Sequence, residues 1–187
     1  MTYLPMLDRP APIDRLKRMA RIMGMVTTIG IGAVVILMVA ALLITDWTRN
    51  LLLAKLGLAG AELPVAPSAR LIIAIIIAVP VGVILYGLFA VRALFAEFAL
   101  GHVFTARSAR CLQIFAATVL VQAPLGPLTT LALTSALTFG NPPDQRLVAV
   151  AFSLNDLFAL IIGGVLYAAA TVMREAARIA DENASFV

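Results

Sequence analysis

Cysteine and histidine are nearly absent from this chain, which has one of each, Cys111 and His102, in 187 residues. A single thiol excludes an internal disulfide and any cysteine metal cluster. A single imidazole leaves a zinc or haem site without enough ligands from this chain alone, so no metal and no cofactor is expected. A Ser-His-Asp set would have to be built on His102 with an acid from the tail, and "GIGAVV" at residues 30–35 lacks the third glycine and the strand of a dinucleotide fold. No enzymatic activity is expected. Charge is scarce as well. Only 13% of the residues are charged and 62% are hydrophobic, against about 25% and roughly 45–50% in soluble domains. With a mean hydropathy of +1.02, a water-soluble core is excluded.

Long apolar runs fill the space. Residues 22–45 and 71–91 carry no charge, and each exceeds the ~18 residues that mark a transmembrane candidate. A third run covers 111–139, and a fourth, 147–173, is interrupted only by Asn155 and Asp156. The first run is too long for the ~7–15 apolar residues of a signal peptide and reads as an uncleaved helix. The expected fold is therefore an all-α integral membrane protein with four transmembrane helices. Between them lie a basic amphipathic segment (1–21), an outer loop (46–70), a cytoplasmic loop (92–110), a short outer loop (140–146) and a cytoplasmic tail (174–187).

Lys and Arg set the orientation. Arg9, Arg15, Lys17, Arg18, Arg21, Arg92, Arg107, Arg110, Arg174 and Arg178 fall on one side of this scheme, and Arg49, Lys55, Arg70 and Arg146 on the other. The positive-inside rule then gives an N-in, C-in protein. The pI of 9.8 reflects this distribution, and direct binding of nucleic acid is not expected. "IDRLKRMARIM" places Ile13, Leu16, Ala20 and Met23 on one face, as in a helix lying on the cytoplasmic leaflet. "RNLLLAKLGLAG" reads as an interfacial helix on the outer side. Thr28 with Gly32, and Gly164 with Ala168, have the small-xxx-small spacing that lets helices approach closely, within one bundle or between copies of a homo-oligomer.

"LFAEFALGHVFTARSARCLQIFA" is the most motif-like stretch. Helix two is expected to run past Arg92 through Phe95 and Phe98, with Gly101 as a left-handed C-terminal cap. Val103 and Phe104 fall in the tight turn, and Thr105 or Ser108 caps the next helix. Such a capped hairpin is structural; it can also serve as a partner-docking knuckle that presents His102, Phe104, Arg107 and Arg110.

The pattern F-x-x-G-x-V-F-T followed by C-L-Q-I, and the ending "VMREAARIADENASFV", resemble a bacterial family of four-helix membrane proteins of unknown function. The resemblance runs from about span two to the C-terminus, and it marks Phe98, Gly101, Val103, Phe104, Thr105, Glu182 and Asn183 as signature positions. The Ala-Ser-Phe-Val ending departs from the β-branched polar ending of many relatives. Genes of that family often accompany a small helix-turn-helix regulator, which implies a regulatory or signalling role with such a cytoplasmic partner.

Two polar features remain. At 1.5 Å per residue, Asp156 falls about 14 Å in from Leu147 and Gln122 about 16 Å in from Cys111. Gln122, Asn155 and Asp156 are thus expected as one polar cluster at the bilayer midplane, beside a helix kinked or broken at Pro124, Gly126 and Pro127. The cluster is either structural or a site for a proton, a cation or a small ligand. In the tail, Arg178 is expected to pair with Glu182 at i,i+4. Two acids at a helix C-terminus are unfavourable, so Asp181 or Glu182 is expected to fold back onto Arg107 or Arg110 as a latch, beside Asn183. The leading functional expectation is a non-enzymatic regulator or sensor that works through cytoplasmic partners. The alternatives are a small transporter or channel using Asp156, and an accessory subunit of a larger membrane complex.

Overall fold

The computed structural model describes residues 12–43, 67–138 and 150–184. They form four helices: α1 (Pro12–Leu43), α2 (Pro67–Leu100), α3 (Ala106–Thr138) and α4 (Leu154–Ala184). Each is long and apolar enough to cross a membrane, and no strand is present among the described residues. In its described residues the chain is an all-α four-helix membrane protein. The outer interfacial helix expected around residues 49–60 lies outside the described residues.

All four helices outrun the bilayer. The shortest, α4, has 31 residues, or about 46 Å at 1.5 Å per residue, against a hydrocarbon core of about 30 Å. The excess lies largely at one end, because every basic residue of the described segments except Arg70 falls there. The basic segment expected to lie on the leaflet instead continues α1 without a break from Pro12. The sequence from Ile13 to Met23 contains no glycine or proline to turn the chain, so the helix carries straight on. Proline opens both α1 and α2, at the first helical position where its missing N–H costs nothing.

Neighbours in sequence are neighbours in space. Substantial contacts among the described residues join α1 to α2, α2 to α3 and α3 to α4. The bundle is open, with α2 and α3 in the middle. Successive helices are antiparallel: Lys17 lies against Gly101 and Gly24 against Phe95, and further on Gly163 meets Leu120 while Gly126 meets Asp156.

Small side chains make the seams. Ala109, Ala116 and Ala123 are buried on α3, and Gly163, Ala170 and Ala177 on α4, each set seven residues apart. A seven-residue repeat keeps one stripe facing one neighbour over several turns. Among the described residues the largest fully buried side chain is only that of Ser108. Large apolar residues such as Ile29, Ile36, Leu71 and Val172 point outward. This inverts a water-soluble core, because lipid is as apolar as leucine and helices associate by close contact of small residues.

Proline does not break α3. The helix is continuous through Pro124 and Pro127, as α2 is through Pro80. The two prolines on α3 deprive the Leu120 and Ala123 carbonyls of their usual donors. Packing overrides the local cost: Gly163 brings α4 so close that a Cβ on it would sit 2.9 Å from the Leu120 backbone nitrogen.

Candidate functional site: the knuckle between α2 and α3

The end of α2 has the two crossing hydrogen bonds of a Schellman motif. Gly101 N donates to the Phe98 carbonyl and His102 N to the Glu97 carbonyl, both at 3.0 Å. Gly101 has φ +93°, the only positive φ among the described residues. A side chain there would be strained and would also sit 3.1 Å from Lys17 Cε, which lies across the turn.

Thr105 then starts α3. Its Oγ1 accepts from Ser108 N at 3.2 Å, the bond expected of an N-cap. The Thr105 hydroxyl donates to Ser108 Oγ at 3.0 Å, and Ser108 Oγ donates to the His102 carbonyl at 2.7 Å. Ser108 is wholly buried, so its hydroxyl links the end of one helix to the start of the next. The expected cap at Gly101 and the tight turn at Val103 and Phe104 are found as read. Of the two residues proposed for the N-cap, Thr105 is the one that caps, and Ser108 is the bridge.

Glu97 is the feature that the sequence reading missed. Its carboxylate lies 3.1 Å from Arg107 Nε and 3.4 Å from His102 Nδ1, with only 11% of the side chain exposed. Each charge sits at the unfavourable end of its own helix. Glu97 stands at the C-terminus of α2, where the macrodipole is negative, and Arg107 at the positive N-terminus of α3. Paired, each offsets the other's dipole. Because Arg107 is 75% exposed, the pair contributes about 1 kcal/mol rather than the larger value of a buried one. A signal was present: Glu97 is the only acid between Glu62 and Asp144.

These bonds hold an apolar tip in place. Leu100 is 66% exposed and Phe104 67%. Phe98 faces inward instead, edge-on to Phe95 with ring centroids 6.5 Å apart. Leu100 lies eight residues past Arg92, about 12 Å further along the helix axis. His102, Arg107 and Arg110 are exposed around the tip.

The midplane cluster does not assemble. Helix α4 begins at Leu154 rather than at residue 147, so Asp156 belongs to its first turn. Ser153 N donates to Asp156 Oδ2 at 2.8 Å, and Asp156 N donates to Ser153 Oγ at 3.3 Å. This is a reciprocal capping box, and a carboxylate at a helix N-terminus is stabilising. From Asp156 to Arg174 is 18 residues, about 27 Å, nearly the full hydrocarbon thickness. Asp156 therefore lies at the end of α4 away from the basic residues. Asn155 is exposed, and Gln122 turns to α2, where its Nε2 donates to the Pro80 carbonyl at 2.8 Å. From α3, Gly126 packs against Asp156, so that a Cβ there would meet the carboxylate. Serine followed by an acid three residues later, ahead of an apolar run, was the overlooked signal.

The tail is helical to Ala184. Arg178 pairs with Glu182 at 2.6 Å, as expected, and with Glu175 at 2.5 Å. On the knuckle side of the expected latch, Arg107 is engaged by Glu97, while Arg110 forms no ion pair among the described residues. The side chains of Asp181 and Asn183 lie outside the described residues. Tail and knuckle do share one end of the bundle, since Arg174 Nη1 donates to Gln113 Oε1 at 3.4 Å and Gln113 Nε2 to the Tyr167 hydroxyl at 2.9 Å.

No group of His, Cys, Asp and Glu among the described residues could hold a metal ion. Comparison with protein-family models, with curated proteins and with solved structures finds no match to this chain.

Proposed function

We propose that this chain is a non-enzymatic regulator or sensor of a bacterial inner membrane that docks a cytoplasmic protein on the knuckle between α2 and α3. One observation carries the reading. A turn fixed by two helix caps, a bridging serine and an ion pair holds Phe104 and Leu100 exposed, beyond the level of Arg92. Apolar side chains that a lipid core does not cover are favoured contacts for a protein partner. The basic residues gathered at this end support a cytoplasmic placement of the knuckle and of both termini. The resemblance of the F-x-x-G-x-V-F-T stretch supports a small helix-turn-helix regulator as the partner, with a larger membrane complex or a second copy of the chain as the other candidates.

Asp156 caps the start of α4, which gives the transporter reading less support than a free carboxylate inside the span would.

Photocrosslinking in native membranes tests the docking. A photoreactive residue at Phe104 should give a discrete protein adduct that one at Ile72, at the opposite end of α2, does not. Loss of the adduct on Arg107→Glu would support the surface; the same adduct from both positions would sink it. Topology is tested separately. A reporter active only outside the cytoplasm should stay dark when fused after Gly101 and light up after Glu62 or Asp144.

A further inference from the structure

From the first turns of α1 we infer a binding site for an anionic glycerophospholipid, a second interaction surface independent of the knuckle. Asp14, Arg15, Arg18, Met19, Ile22 and Met23 line a groove of about 240 Å³. From Arg15 onward, and with Val26 added, they form a stripe at i, i+3, i+4, i+7, i+8 and i+11, with Asp14 at its edge. That stripe lies opposite the face that packs on α2, where Ala20 and Thr27 are buried and Gly24 meets Phe95. Arg15, Arg18 and Arg21 are in no ion pair among the described residues, and all three are exposed.

The order of chemistry along the stripe matches one kind of molecule. Two guanidinium groups stand at the end of the helix beyond the hydrocarbon. They are planar, always charged, and suited to bidentate bonding of a phosphate. One turn deeper the same face becomes Met19, Ile22, Met23 and Val26, all exposed, where an acyl chain would lie. Methionine is unbranched and adapts to an irregular chain. Asp14 at the mouth would oppose a bare phosphate but accepts a hydrogen bond from a headgroup hydroxyl, so the best fit is a phosphatidylglycerol-type lipid. A free phosphate would use the arginines and leave the apolar wall uncovered. An acidic peptide would need to place that wall against side chains of its own within the membrane.

The test uses the full-length protein in phosphatidylcholine vesicles containing a trace of spin-labelled phosphatidylglycerol or spin-labelled phosphatidylcholine. The quantity read is the relative association of each label with the protein. A basic side chain at a membrane surface is worth roughly five-fold in association with anionic lipid, so wild type should prefer phosphatidylglycerol by about that factor or more. Arg15→Gln/Arg18→Gln should bring the preference close to one, whereas Arg92→Gln/Arg110→Gln, on α2 and α3, should leave most of it. Met19→Ser/Met23→Ser should weaken association of both labelled lipids with this site. No preference in wild type overturns the inference. So does an equal drop in both arginine pairs, which would mark a diffuse basic rim instead of a groove. Circular dichroism in the same vesicles confirms that each variant is helical.

Discussion

Glu97 and Asp156 are two carboxylates in an apolar chain, and they are accommodated in opposite ways. Asp156 drew attention because it interrupts a long hydrophobic run, yet it occupies the ordinary place for an acid, the first turn of a helix, held by Ser153. Glu97 drew none, yet it is the buried one, stands at the wrong end of its helix, and depends on Arg107 and His102 from across a turn. The difference teaches that a charge is anomalous only relative to the ends of its helix. Those ends are set by caps, and hydropathy does not locate them.

The comparison can be broken most forcefully at the turn. Gly101→Val forces a β-branched residue into the left-handed region and against Lys17, and should cost about 2 kcal/mol. Thermal unfolding in mild detergent would show it, and an unchanged midpoint would mean that the turn relaxes freely. Next comes the carboxylate itself. Glu97→Gln removes the charge that Arg107 pairs with and should cost about 1 kcal/mol, while Asp156→Asn, which keeps the shape and an acceptor, should cost a few tenths. Equal losses in the two variants would erase the distinction drawn between them.

A smaller effect sharpens the other side. A methyl on Gly126 would collide with Asp156 Oδ1. Gly126→Ala should therefore swing the carboxylate off Ser153 and cost up to ~1 kcal/mol, the worth of a cap. In an Asp156→Ala background the same change should be nearly free. Strict additivity in this double-mutant cycle would show that Gly126 and Asp156 are not coupled. The smallest effect belongs to the tail. Arg178→Gln, which removes the exposed pairs with Glu175 and Glu182, should move stability by no more than ~0.5 kcal/mol. A larger loss would mean that the tail is held by more than its own helix.

The knuckle was legible because its instructions are local. Glycine at C′, threonine at the N-cap and a five-residue gap (101–105) specify it within a few residues. The midplane cluster was misread because depth was counted from where the apolar run begins, at residue 147, and not from Ser153, where the cap starts the helix. Glu97 was passed over because its partners, Arg107 and His102, come close only once α2 and α3 fold back on each other.

Composition and hydropathy by themselves determined that the chain spans a membrane with four helices. Each span must satisfy its own backbone hydrogen bonds in lipid, and twenty apolar residues in a row allow little besides a helix. The antiparallel order followed from the short connection between α2 and α3. What only the tertiary structure decided is where each polar group finds its partner. Gln122 turned to Pro80, Arg107 to Glu97 and Gly126 to Asp156, because those choices depend on the rotation of one helix against the next. That rotation is set by which small residues let two backbones approach, a property of pairs of helices that no single stretch of sequence contains.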